Sequence, residues 1–193
     1  MTERITRSVA SGFLVGIGVV INTLAPNPIV GSMLFSVALL AIIKNQLLLY
    51  TGKIGFIKEV PIKDLAIMYI GNLIGIIIPV FMVITQKEAA YAAMLQSSVN
   101  KFANGYLALL FYGMLCGVLM FLAVLSKDTV ITVFCIMTFI LSGYEHCIAD
   151  FPYLLINFSW VNLLKFLCIT LGNSLGSIGF YFLVQKYDKQ KAA

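Results

Sequence analysis

An all-α membrane protein that crosses the bilayer six times is expected from three features of the chain. Of its 193 residues, 61% are hydrophobic and 11% charged, and the mean hydropathy is +0.99. A soluble domain keeps about a quarter of its residues charged, so this much apolar surface needs lipid as its solvent. Residues 8–43 carry no charge at all. Prolines and charged pairs then divide the chain into segments near the roughly 20 residues that span hydrocarbon as a helix. The alternating polarity of a membrane β-barrel is missing over any useful length.

The segments follow in order. Ala25-Pro26-Asn27-Pro28 cuts the first uncharged run in two, because prolines so spaced end a helix and force a turn. Spans are expected at about 8–25, 29–50, 65–86, 102–126, 129–149 and 160–185, within one transmembrane domain over 1–193. The third follows Pro61, Lys63 and Asp64, and the fifth follows Lys127-Asp128. The first run has no small-residue cleavage pattern after it, so it reads as a span rather than a cleaved signal. Cys116, Cys135, Cys147 and Cys168 all lie in apolar segments, at spacings that fit no metal motif. They read as small packing residues, and neither metal nor cofactor is expected.

Charge bias gives the orientation. With both termini inside, that side holds Arg4, Arg7, Lys58, Lys63, Lys127, Lys186, Lys189 and Lys191 against Lys87 and Lys101 outside. Positive residues collect on the cytoplasmic side, so both ends are expected in the cytoplasm. The net charge of +5 therefore reads as topology and not as affinity for nucleic acid.

The chain also resembles itself. Gly71-Asn72-Leu73-Ile74-Gly75 in the third span is echoed by Gly172-Asn173-Ser174-Leu175-Gly176 in the sixth, 101 residues later. Tyr50-Thr51-Gly52-Lys53-Ile54 ends the second span, and Tyr144-Glu145-His146-Cys147-Ile148 ends the fifth. Two repeats, about 8–86 and 102–185, each hold three spans with a polar break in the second. An odd number per half inserts the second half upside down. Breaks at matching places point to non-helical backbone near the midplane, which survives only where it lines an enclosed cavity. The glycines also fit close helix packing.

Glu145, His146 and Asp150 sit in an otherwise apolar stretch, and His146 is the only histidine. Ionisable groups at membrane depth are functional candidates by default. An imidazole titrates across physiological pH, so it can present a neutral or a cationic face to an anion. Glu145 reads as support for the loop and helix ends of the break, since an exposed carboxylate would repel an anion.

These residues resemble a known family. Ser142-Gly143-Tyr144-Glu145-His146-Cys147-Ile148-Ala149 is similar to the Gly-Phe-Glu-His-Ser-Val-Ala-Asn signature of the formate/nitrite transporters. Leu49-Tyr50-Thr51-Gly52 resembles their Leu-Phe-Thr-Gly loop, and Leu115-Cys116-Gly117-Val118-Leu119 the start of their Leu-Cys-Asn-Trp-Leu block. The paired Gly-Asn segments match as well, in order along the chain.

The resemblance implies an aquaporin-like fold with helices two and five broken, and homopentamers with one pore per protomer. It puts Thr51 across the pore centre from His146, with the Asn173 amide nearby. Lys101 would draw anions into the outer vestibule, and Phe35, Leu39, Leu49 and Phe139 would form apolar constrictions. Tyr50, Gly52 and Glu145 would support the loops. The expected function is proton-linked transport of a small monovalent weak-acid anion such as formate or nitrite, across a bacterial inner membrane. The chain departs from the family at Leu48, Lys53, Gly117 and Asp150. The departures leave a neutral-solute channel or a non-conducting subunit as alternatives. A lone histidine without a metal triad or cofactor box argues against an enzyme.

Overall fold

The computed structural model describes residues 1–191, with side chains through residue 185, so the side chains of Lys186, Lys189 and Lys191 lie outside the described residues. Every regular element among the described residues is helical. In chain order these are α1 (Thr2–Leu24), α2 (Pro28–Lys44), α3 (Tyr50–Lys53) with a 3-10 turn at Ile54–Phe56, and α4 (Ile62–Ile84). Then come α5 (Glu88–Ala103), α6 (Tyr106–Ser126), α7 (Thr129–Leu141), α8 (Cys147–Ile156) and α9 (Trp160–Lys191).

Local chemistry sets the ends. Asn27 caps α2 by accepting from the Ile29 and Val30 amides at 2.8 and 3.2 Å. Pro28 follows at the first helical position, where a missing N–H costs nothing. Asp128 caps α7 by accepting from the Ile131 amide at 2.9 Å. Lys127 before it takes a left-handed φ of 54°, which stops α6 and reverses the chain within two residues.

Lipid is the solvent for the outer faces. Helix α4 buries Leu65, Met68, Asn72, Ile76 and Val80 and exposes Ile70, Ile74, Ile78 and Met82. In water such a face would not stay dispersed. Among the described residues, Thr2–Leu24, Ile62–Ile84, Tyr106–Ser126 and Trp160–Gln185 are long and apolar enough to cross a membrane. The protein is thus a multi-pass, all-helical membrane protein.

The core is built from two tight pairs, α1 on α4 and α6 on α9. Their contacts correspond residue by residue. A Cβ on Gly75 would lie 2.0 Å from the Val9 carbonyl oxygen, and one on Gly176 would lie 2.0 Å from that of Met114. Both obstacles are backbone, so neither can move aside. Gly12 meets the Asn72 backbone as Gly117 meets that of Asn173. Overpacking costs roughly 1–3 kcal/mol where side chains can adjust, and more where backbone blocks them. Gly176→Val is therefore expected to lower the yield of monodisperse protein sharply. Wild-type yield and melting temperature would contradict this packing.

Boundaries differ from expectation at both ends, where α1 begins at Thr2 and α9 runs on to Lys191, and at three internal places. The second apolar segment stops at Lys44, where Gln46 turns the chain with φ of 52°, and helix resumes only at Tyr50. The fifth stops at Leu141, and α8 then runs on to Ile156, seven residues past its expected end at 149. Helix α5 was hidden within the expected start of the fourth span and the link before it. Its Gln96, Ser97, Ser98, Asn100 and Lys101 dilute the apolar signal, but Ser98 donates to the Tyr153 carbonyl at 2.7 Å and ties α5 to α8.

Candidate functional site

Two asparagines hold the two interruptions, and they do so in the same way. The Asn72 side-chain oxygen accepts from the Tyr50 amide at 2.8 Å, and its nitrogen donates to the Ser8 and Leu48 carbonyls at 2.7 and 2.8 Å. The Asn173 oxygen accepts from the Cys147 amide, and its nitrogen donates to the Gly113 and Glu145 carbonyls, each at 2.8 Å. Both side chains are fully buried. Backbone outside a helix needs partners for its polar groups at membrane depth, and each asparagine supplies three bonds. Asn173, expected to offer an amide at a pore centre, has that amide committed to the chain's own backbone.

Leu49 and His146 occupy the residues just before α3 and α8. His146 caps α8: its Nδ1 accepts from the Ala149 amide at 3.1 Å. A nitrogen that accepts carries no proton, so the neutral ring has its hydrogen on Nε2. That hydrogen points to Thr51 Oγ1, 2.8 Å away. Protonating the ring would set a second N–H against the Ala149 amide. As built, the imidazole is therefore a neutral donor. Phe139 stacks on it with ring centroids 5.7 Å apart, and Phe35 meets Phe139 edge-on at 6.2 Å.

Three cavities lie in a row through these residues. A cavity of about 90 Å³ is lined by Phe35, Phe139, His146, Lys101, Asp150 and Asn22, among others. A void of about 10 Å³ follows, walled by Phe35, Leu39, Leu49, Phe139 and His146 together with Val15 and Met120. A third, of about 310 Å³, is bounded by Leu39 and Leu49 and by Arg7, Gln46, Gly52 and Lys53. Neighbouring cavities share walls: Phe35, Phe139 and His146 between the first two, Leu39 and Leu49 between the last two. Arg7 and Asn22 sit on one helix, so the outer cavities are about 20 Å apart along it. The middle void is no larger than one water molecule.

Lys101 is not free at its cavity. Its ammonium is hydrogen-bonded to Glu145 and lies 3.0 Å from Asp150 Oδ1, both carboxylates being buried. The other Asp150 oxygen has no hydrogen-bond partner among the described residues. The Glu145 carboxylate, expected to support the loop, is engaged by this lysine, and it is the Glu145 carbonyl that Asn173 holds. Tyr50 joins Asn72 through its amide and Ser174 through its hydroxyl at 2.9 Å, and Gly52 packs against Val124. Sequence reasoning missed the bracing by Asn72, and it missed the Lys101–Asp150 approach. The only available signal for the latter was an extra carboxylate in an apolar run.

The whole arrangement falls within one family pattern. Residues 1–187 match the family model described as formate/nitrite transporter. The chain belongs to the formate/nitrite transporter family. Solved structures agree at the level of fold. A pentameric formate channel with formate bound superposes with a TM-score of 0.77 at 20% identity, over 96% of this chain and 97% of that one. An FNT family ion channel gives 0.82 at 22% identity, over 97% of this chain and 90% of the other. No curated protein matches the chain. Gly117, where the family motif carries asparagine, has a structural reason in this chain: a Cβ there would lie 2.2 Å from the Asn173 carbonyl oxygen.

Proposed function

We propose that each protomer conducts a small monovalent weak-acid anion, formate first, with a proton accompanying it. The observation that carries this reading is the row of cavities pinched at Phe35, Phe139, Leu39 and Leu49 around one imidazole with its Nε2–H turned toward Thr51. A bare anion in so dry and narrow a passage loses hydration worth many kcal/mol. A fixed donor at the waist offsets part of that loss. A proton acquired from vestibule water removes most of the rest, because a neutral acid crosses an apolar ring without a charge to desolvate.

Topology supports the same reading. In this proposal the chain crosses six times as two inverted triplets, and α2–α3 and α7–α8 are the broken helices of the two halves. The duplicated asparagine bracing is what such a repeat produces. Both termini would lie in the cytoplasm of a bacterial cell, with the protein in its inner membrane. The apolar outer faces suit lipid and the sister protomers of a homopentamer.

Proteoliposomes loaded with a pH-sensitive dye test the function. An inward formate gradient should acidify the lumen well above protein-free vesicles, with nitrite giving the same sign. A parallel light-scattering assay with glycerol should show no added permeability. Glycerol flux without formate flux would favour a neutral-solute channel, and no flux of either would favour a non-conducting subunit.

A further inference from the structure

The two ends of the cavity row differ in their balance of charge. At the Lys101 end, one ammonium faces two carboxylates, Glu145 and Asp150. Those groups leave no positive charge over for an arriving anion. At the other end, Arg7 and Lys53 both line the 310 Å³ cavity. Lys53 has no carboxylate within ion-pair distance among the described residues and lies 6.0 Å from the centre of the Phe56 ring. Among the described residues Arg7 shares its charge with Glu3 alone, 3.2 Å away and 80% exposed, where water screens the pair.

A second feature marks this end as built. Gln46, on the cavity wall, holds a left-handed backbone with φ of 52°, which a side chain other than glycine rarely adopts. Its carbonyl accepts a hydrogen bond from the Arg7 guanidinium. The turn that ends α2 thus fixes the guanidinium at the cavity wall.

We propose that the Arg7–Lys53 cavity is a binding site for a small carboxylate-type anion, and that it makes the pore bind anions more tightly from the N-terminal face than from the Lys101 face. The proposal rests on the transport reading only for its kinetic consequence. A passive pore cannot drive net flow at equilibrium, so the ratio Vmax/KM stays equal in the two directions when neither a membrane potential nor a pH difference is present. A tighter site therefore lowers KM and Vmax together for anions arriving at its own face.

Two measurements test it on the full chain. In detergent, sodium formate should raise the melting temperature saturably over sodium gluconate at equal ionic strength. Lys53→Gln should shift the half-saturating formate concentration about fivefold higher, and Lys53→Arg should restore it. In proteoliposomes oriented through an N-terminal tag, the wild-type KM for formate should be lower from the N-terminal face. Lys53→Gln should raise that KM toward the value from the opposite face.

Equal half-saturation in wild type and Lys53→Gln, with no difference in KM between faces, would overturn the site and leave transport standing. A formate-dependent shift lost in Lys53→Gln, without flux, would keep the site and sink transport instead.

Discussion

Asn173→Leu is expected to leave almost no folded protein. The substitution keeps the volume and removes three hydrogen bonds. Gly113 keeps its own helical partner, but the Cys147 amide and the Glu145 carbonyl lie outside the helical ladder and would be stranded in a fully buried site. An orphaned buried polar group costs roughly 1–3 kcal/mol, and the low dielectric favours the upper end. Two such groups take up a large part of a total stability of about 5–15 kcal/mol. Asn72→Leu should do the same to the other interruption, stranding the Tyr50 amide and the Leu48 carbonyl. Size-exclusion profiles and melting temperatures read the outcome. A monodisperse Asn173→Leu protein melting within a few degrees of wild type would show that the interruption holds itself.

His146→Phe should cut formate flux about 10- to 100-fold, the worth of one hydrogen bond to a charged group of roughly 1.5–3 kcal/mol. The ring also caps α8 through Nδ1, a contact worth about 1 kcal/mol, so lost flux alone would be ambiguous. His146→Asn separates the two effects. Asparagine is a favoured cap, so the melting temperature should stay near wild type. Its shorter side chain does not reach Thr51, so flux should still fall. Thr51→Val removes the partner of Nε2 and should reduce flux less than either. Flux unchanged in His146→Phe would remove the imidazole from the conduction path.

Composition alone made the lipid-facing helices legible, because runs such as 8–43 leave no other solvent. The turn at Asn27-Pro28 was legible for the same kind of reason: both residues act locally. Spacing could not show that Thr51 and His146, 95 residues apart, lie 2.8 Å from each other. That expectation came only from the family resemblance. The Gly-Asn repeats could be seen in the sequence, but the bracing work of the asparagines could not. An amide that would serve a pore and one that braces a loop are the same residue type. Only the positions of Cys147, Gly113 and Glu145 around it distinguish them. Helix α5 was hidden because its polar residues, of which Ser98 and Lys101 reach α8, read as a connection.

Leu39→Trp tests most directly whether formate passes through the protomer along this row of cavities. Leu39 walls both the 10 Å³ void and the 310 Å³ cavity. An indole there has open volume on one side to occupy, so the fold should survive while the passage is plugged. The measurement is the initial rate of formate uptake into proteoliposomes, with melting temperature as the control. The account predicts a rate reduced to that of protein-free vesicles at a near wild-type melting temperature. A wild-type rate from a stably folded Leu39→Trp protein would place conduction elsewhere.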